Sequence, residues 1–485
     1  MKTTHLLYPS FLLAATPFAA FPQATPTHPN LVFIMADQFR GDALGCMQKE
    51  PVQTPNLDTL AREGILFTQA VSSYPVSSPA RAMLMTGMYP IANGVTGNCN
   101  SQNTPYGVEL SSEAVCWSDV LKQAGYATAY IGKWHLDAPR LPYVDTYNNR
   151  GAVAWNEWCS PERRHGFEQW TAYGTYDNHL KPMYWNTEAS REDFYYVDQW
   201  GPSYEADRAI DFIRTESKQS DHPFALVVSM NPPHTGYELV PDSFKQRYTH
   251  LDVEVLAARK PYIPPKGTPE GDYFRKHIRD YYACITGVDE NIGRIIRTLK
   301  DCGIYHNTLI VFTSDHGVCM GGHNIEGKNT FYEEAMRIPM ICCWPDKIHP
   351  QQSDLPVAFA DLCPTMLSLM GMKDQIPSTV QAHDWSSNLL QQKIQTPEGA
   401  FQPYYYCVPS DLTSGRRGIR TSRYTYVVEI EKGKKTQTWL YDRTDDPSQL
   451  HNLAASHPEL CDSLNQQLAS WLEQTHDSFS TYLKL

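Results

Sequence analysis

The chain has 485 residues, with 41 Lys plus Arg set against 53 Asp plus Glu, a net charge of −12. At 41% hydrophobic and 19% charged residues it can build a large core and is not a disordered chain. The acidic balance argues against sequence-independent nucleic-acid binding, which needs phosphate-neutralising cations, and no stretch approaches the roughly 20 apolar residues of a membrane span.

From the N-terminus, Lys2 precedes an apolar stretch over residues 6–21, interrupted by Pro9 and Pro17. It resembles a secretory signal, so residues 1–24 are expected to be a signal peptide and the protein periplasmic or secreted. The 12 cysteines are scattered from Cys46 to Cys461 with no CxxC pair, which does not support a cysteine metal framework. Cys342 and Cys343 lie in an apolar run, where free cysteine behaves as a small core residue. One or two disulfides would be compatible with export, and the spacing assigns none.

Residues 30–36 form an apolar run ending abruptly at Asp37, the pattern of a strand buried on both faces. A helix is predicted over 56–63, stopped by Gly64, and a strand over 65–71. Residues 117–123 read as a helix leading into a strand at 127–131, and 204–214 as a helix leading into a strand at 224–230. The longest helical pattern, 275–300, is followed by a strand at 308–313 ending in Ser314-Asp315. A strand at 339–343 and a helix at 359–370 complete the series. Alternation over about 350 residues argues for a doubly wound α/β sheet, whose sites form beyond the carboxyl ends of strands. Polar residues stand at several such ends: Asp37 and Gln38, Lys133 and His135, His234, Asp315 and His316. Residues 139–200 are aromatic, irregular and too long for a connection, which suggests a functional insertion. After about residue 400, short strands and a final helix at 460–472 read as a smaller subdomain. The expected division is a catalytic domain over 25–400 and a C-terminal α+β subdomain over 401–485.

The most informative stretch is Ser77-Ser78-Pro79-Ala80-Arg81-Ala82-Met83-Leu84-Met85-Thr86-Gly87. It fits a helix capped by Ser77 or Ser78, with proline in the first turn and glycine at the end. That reading leaves Arg81, one turn after Ser77 on the same side, without a purpose. An unmodified serine with no base beside it is also a poor nucleophile.

In this stretch the chain resembles the type I sulfatases of the alkaline phosphatase superfamily. Their signature is Cys or Ser, any residue, Pro, a small residue and Arg, with Leu-x-Thr-Gly a few positions on, and every position matches. The resemblance implies a large mixed, mostly parallel sheet flanked by helices, with a smaller C-terminal antiparallel sheet plus helix. It also implies that Ser77 is oxidised to formylglycine (3-oxoalanine) by a dedicated maturation enzyme. Further matches follow in order along the chain. Asp37-Gln38 and Asp315-His316, in Thr313-Ser-Asp-His-Gly317, correspond to the metal ligands, with Ser77 as the modified ligand. Lys133 and His135, in Gly132-Lys-Trp-His135, and His234, in Asn231-Pro-Pro-His234, correspond to active-site residues, and Lys328 to the sulfate-binding lysine. Leu440-Tyr-Asp442 with Asp446-Pro447 and Asn452-Leu453 resembles the C-terminal signature. Singly, each has a plainer reading: a helix cap for Asp37, a satisfied histidine for His135 or His234, a solvated charge for Lys328. Their joint order carries the resemblance. His323, beside Gly321-Gly322, is read as structural.

The implied reaction is hydrolysis of a sulfate ester, expected here to be exo-acting on a carbohydrate, with sulfated galactose or N-acetylgalactosamine as the expected sugar. Attack on an anionic ester needs charge screening and in-line positioning. Arg81 and Lys133 would hold the ionised hydrate of formylglycine, Lys328 would clamp sulfate, His234 would protonate the leaving oxygen and His135 would act as the later base. Calcium is the metal the resemblance implies and oxygen ligands favour, whereas the imidazole of His316 suits transition metals. Asn98, Asp177 and His179 are singled out as sugar contacts. Two alternatives stay open: a phosphonate monoester or phosphodiester hydrolase, which shares the Asp-Gln and Asp-His pairs, and an inactive relic that binds sulfated glycan with Ser77 unoxidised.

Overall fold

The run NLVFIMA forms β1 (Asn30–Ala36) with all seven residues buried, at the centre of a sheet in a computed structural model that describes residues 28–219 and 222–483. The expected signal segment lies outside the described residues. The other strands of this sheet are β2 (Ile65–Phe67), β3 (Ala127–Lys133), β4 (Gln169–Tyr173), β5 (Met183–Asn186), β6 (Tyr195–Tyr196), β7 (Phe224–Met230), β8 (Thr308–Thr313), β9 (Met340–Cys343) and β10 (Gln351–Ser353). They run in the order β10-β2-β9-β8-β1-β7-β3-β4-β5-β6. Strands β8, β1, β7, β3 and β4 are mutually parallel, and antiparallel pairs join β9 to β8 and β5 to β4. The sheet is therefore mixed and mostly parallel.

Strand periodicity divides the core between two layers. Val32, Ile34, Leu226, Val228, Ile310 and Phe312 face the layer of helices Pro55–Glu63, Gly201–Glu216 and Pro269–Asp301. Leu31, Phe33, Ala225, Val227, Leu309 and Val311 face helices Ser77–Thr86, Trp117–Gln123 and Leu362–Leu369. The longest helix starts six residues earlier than its apolar pattern, because Thr268 caps it by accepting from Gly271 N–H and Pro269 suits the first turn.

Three expectations need correction. The strand at 65–71 keeps only Ile65–Phe67, and Val71 makes isolated bridges to Arg337 and Ala358 as the chain leaves the sheet for the next helix. The element at 359–370 opens as a 3-10 turn and becomes α-helical at Leu362–Leu369, with Pro364 in its first turn. The irregular insertion contributes β4, β5 and β6 to the sheet edge. All twelve cysteines are free thiols.

A second sheet, antiparallel throughout, contains β11 (Gln402–Cys407), β12 (Gly415–Arg420), β13 (Tyr424–Glu431) and β14 (Lys434–Asp442) in that order. With helix Pro458–Gln474 it encloses a core that also takes in Tyr74, Val76 and Met83. Tyr405 N–H donates to Ser73 O, and Tyr74 OH accepts from Cys407 N–H. The C-terminal sheet thus braces the segment that delivers Ser77. Among the described residues no helix is long and apolar enough to cross a membrane.

Candidate active site

In-phase pairing of the parallel strands sets Ala36 beside Met230 and Met35 beside Thr313. The polar residues that follow these strands therefore emerge at one edge, where a helix points its first turn. That helix, Ser77–Thr86, has Val76 as its extended N-cap, with no capping side chain, and ends at Gly87 in the left-handed region (φ 64°). The expected capping role of Ser77 or Ser78 is thereby corrected. Ser78 N–H donates instead to Asn98 Oδ1 (3.1 Å), and Ser78 Oγ accepts from Cys99 N–H (3.0 Å). Ser77, 1% exposed, turns its Oγ to within 3.1 Å of His316 Nε2 and 3.4 Å of Asp37 Oδ2.

One turn on, Arg81 binds four strand-end groups. Its Nε donates to Asp315 Oδ2 (3.0 Å) and Nη2 to Asp37 Oδ2 (3.1 Å), while Nη1 donates to Lys133 O (2.7 Å) and Ser229 Oγ (2.9 Å). Lys133 Nζ lies 2.6 Å from Asp37 Oδ2 and donates to Asn231 Oδ1 at 3.1 Å. Burial favours the neutral form of both carboxylates. At Asp37 the nearby Lys133, His234 and Lys328 overcome it and hold the group well below its ordinary value. At Asp315 burial and repulsion from Asp37 prevail and raise the group.

This cluster fits a divalent cation. Asp37 Oδ1 is buried without a hydrogen-bond partner and lies 3.6 Å from His316 Nε2, which is itself 3.7 Å from Asp315 Oδ1. His316 Nδ1 donates to Gly317 O at 2.9 Å, leaving the Nε2 lone pair directed into the cluster, the usual arrangement behind a metal-ligating imidazole. Burial and the Lys328 charge keep this ring neutral. Gln38 lies alongside with a positive φ of 67°. Its N–H donates to Asp315 Oδ1 (3.2 Å), its Nε2 to Tyr237 OH (2.8 Å), and its Oε1 accepts from Lys328 Nζ (2.8 Å). That oxygen keeps one lone pair for a cation. Burial lowers Lys328 to about 8 against the pull of Asp37.

Two histidines flank the cluster. His135, in the left-handed region (φ 57°), donates from Nε2 to Cys99 O (3.2 Å), and its buried Nδ1 has no partner. Burial, then Lys133 and Arg81, hold it well below its ordinary value, so it presents a free lone pair. His234 Nδ1 contacts Asp177 Oδ1 at 3.0 Å. Burial, then Lys328 and Lys133, lower His234 to about 4 despite Asp177 and Asp37. The three expected sugar contacts all have protein partners: Asn98 on Ser78, Asp177 on His234, and His179 Nε2 on Thr235 O at 3.0 Å. Ser229, Tyr237 and Asn148 complete the surroundings and belong to none of the sequence motifs. Only Ser229, near the end of a buried strand, carries a positional signal.

The chain belongs to the sulfatase family: the Sulfatase family model matches residues 29–372. A second model, N-sulphoglucosamine sulphohydrolase, C-terminal, matches residues 321–477. The protein is a sulfuric ester hydrolase. It is 35% identical to an endo-4-O-sulfatase of Bacteroides thetaiotaomicron, with 94% of each chain covered. It is 32% identical to an ulvan-active sulfatase of Formosa agariphila, over 95% of this chain and 85% of that one. A crystal structure of the protein yidJ from Bacteroides fragilis superposes with a TM-score of 0.94 at 61% identity, over 97% of this chain and 100% of that one. Sulfatases generally use a formylglycine and a divalent metal, and the Asp37, Asp315 and His316 cluster is a site able to hold the metal.

Proposed function

We propose that the protein removes sulfate from a carbohydrate sulfate ester, with Ser77 as the residue converted to formylglycine and calcium as the metal. The observation that carries this reading is the placement of Ser77 Oγ against Asp37 and His316, members of a cation cluster in which Arg81 ties Asp37 to Asp315. The glycan class is supported by the B. thetaiotaomicron and F. agariphila relatives, whose names specify an endo-4-O-sulfatase and an ulvan-active sulfatase. Sulfated galactose or N-acetylgalactosamine is the sugar we would test first. The apolar stretch over residues 6–21 supports export to the periplasm or beyond, and oxidation by a maturation enzyme would precede activity.

Asp37, Gln38, Asp315 and His316 would hold the cation, and the oxygen majority among them supports calcium. A bound divalent cation neutralises sulfate oxygen charge and lowers the pKa of the nucleophilic hydroxyl. Oxidation would give residue 77 an aldehyde, and addition of water would give its hydrate, whose two hydroxyls allow both sulfate capture and its later release. Arg81 from the helix and Lys133 from the end of β3 would orient this hydrate, and Lys328, held by Gln38, would bind the sulfate. His234, neutral in the free protein, gains a proton when the anionic ester arrives, and it then protonates the leaving sugar oxygen. His135, neutral with Nδ1 unpartnered, takes the hydroxyl proton in the release step.

Peptide mass spectrometry across residues 72–81 of protein from its native source tests the reading and should show an aldehyde at position 77. Ser77→Ala should be inactive on sulfated N-acetylgalactosamine, and Ser77→Cys should be active in hosts whose maturase accepts cysteine. Full activity of unoxidised protein, or faster turnover of a phenyl phosphonate than of any sulfated sugar, would overturn it. Sulfate release from an intact polymer without chain-end trimming would replace the expected exo action with endo action.

A further inference from the structure

We propose that Asp177, carried by the insertion, is a positioning residue that orients the His234 imidazole and balances its charge while it protonates the leaving oxygen. The inference rests on the assignment of His234 as that acid. It replaces the sugar-contact role expected for Asp177 from sequence.

An ionised carboxylate only accepts hydrogen bonds. The 3.0 Å contact between Asp177 Oδ1 and His234 Nδ1 therefore fixes a proton on Nδ1. Thr235 Oγ1 lies 3.1 Å from the same nitrogen. Nε2 makes no hydrogen bond to a described residue, and the side chain is 14% exposed, so this is the nitrogen open to substrate. The carboxylate is itself held on both oxygens. Asn148 Nδ2 donates to Oδ2 at 2.8 Å, Asn231 Nδ2 donates to Oδ1 at 3.2 Å, and Asp177 N–H donates to Asn148 Oδ1 at 3.0 Å.

The same segment grips the backbone that carries the ring. His179, 2% exposed, sets its Nε2 3.0 Å from Thr235 O and 3.4 Å from His234 O. Gly236 permits the close approach: a Cβ there would meet Asp177 O at 3.0 Å and His179 Nε2 at 3.2 Å. Ring and backbone of the 231–236 turn are therefore both fixed by residues 177–179. Asn231 extends the support to the floor of the site through Lys133 Nζ at 3.1 Å.

In the reaction sulfur gains a bond to the nucleophilic hydroxyl oxygen at residue 77 as its bond to the sugar oxygen breaks, and the electron pair of the broken bond stays on the sugar oxygen. The proton on His234 Nε2 passes to the oxygen, leaving a neutral ring with Nδ1–H still bonded to Asp177. The carboxylate keeps its charge throughout and takes no proton. Loss of that charge should therefore matter only where the leaving group needs a proton.

The test uses the matured, metal-loaded full chain and phenyl sulfates of graded leaving-group strength. For Asp177→Asn, kcat/KM should fall about 10- to 100-fold on 4-methoxyphenyl sulfate and less than about 3-fold on 4-nitrophenyl sulfate. The leaving-group dependence should steepen as it does in His234→Ala. In the His234→Ala background the same substitution should add no more than about 2-fold, because the two residues act as a unit. Asp177→Glu should recover part of the loss. Should Asp177→Asn not fold, Asn148→Ala, which removes only the outer hydrogen bonds, should give the same selective loss at about 3- to 10-fold. Equal losses on both esters, or additive losses in the double variant, would overturn the proposal. An unchanged dependence in His234→Ala would overturn the acid assignment, and this inference with it.

Discussion

At the floor of the site, Asp37 and Asp315 have fully buried side chains and share Arg81, which lies 3.1 and 3.0 Å from them, with His316 close to both. At the wall, the Asp177 side chain is 27% exposed and meets a histidine and two asparagine amides. The floor balances charge that water cannot screen, so removing one member leaves the others uncompensated. The wall is held by hydrogen bonds that water can partly replace. Floor substitutions should therefore lose fold and chemistry together, whereas wall substitutions should alter the chemistry selectively.

Arg81→Ala gives the strongest test of that contrast. It leaves two buried carboxylates facing each other and should cost about 3–5 kcal/mol in metal-free protein, with turnover down at least about 1,000-fold. Thermal unfolding beside steady-state kinetics checks both. Lost activity at unchanged stability would mean that the floor is not charge-balanced through Arg81. Metal removal should act in the same direction. Chelation should abolish turnover and lower the melting temperature, and calcium at about 100 times its Kd should restore about 2.7 kcal/mol. A melting temperature indifferent to calcium, with zinc restoring activity better, would return the site to transition metals.

Much of the floor is legible in the sequence, because each of its groups follows a buried strand or opens a helix. Asp37 ends an uninterrupted apolar run, Asp315 and His316 end another, and Arg81 is one helical turn from Ser77. The strands that the parallel register depends on are legible for the same reason, since apolar runs stand out in any context. The wall is harder to read. Asn148 and Asp177 are 29 residues apart, and Asp177 and His234 are 57 apart. They meet only because β4 pairs with β3 and the chain returns through β7. Strands β4 to β6 are only five, four and two residues long and rich in aromatics, so the insertion reads as irregular. The polar-aromatic segment around Asp177 stands out, but its residue types alone do not tell a sugar from His234 as the partner of the carboxylate.

Lys328 sharpens the comparison because it belongs to neither region wholly. It reaches the floor through Gln38 Oε1 at 2.8 Å, yet it sits on a loop outside the sheet. If it binds sulfate, Lys328→Ala should raise KM about 10- to 100-fold on 4-nitrophenyl sulfate, with a smaller change in kcat. Lys328→Arg should retain part of the affinity. A fall in kcat alone would place it among the groups acting on the transition state.

Glu205 lies where the two regions join, and the effect expected from it is the smallest. It is fully buried on helix Gly201–Glu216, and its Oε1 accepts from Tyr173 OH at 3.3 Å and Tyr184 OH at 3.1 Å, side chains of β4 and β5. Its Oε2 has no partner. Burial pushes its pKa up to about 8 from the usual 4.5, against the two tyrosine hydroxyls. Between those values the folded protein holds a proton that the unfolded chain releases. Its contribution to stability is therefore fully present below the unfolded value and is lost as pH rises through the folded one. Glu205→Gln keeps the shape and the accepting oxygen but cannot ionise. The variant should match the parent near pH 5 and exceed its melting temperature near pH 9, by on the order of 1–3 °C. Turnover should stay within about 2-fold, because Glu205 touches neither Lys133 nor His234. A pH-independent difference would mean that the carboxyl is already ionised in the folded protein. A loss of turnover like that of Arg81→Ala would move the boundary of the floor outward to include the tyrosine pair.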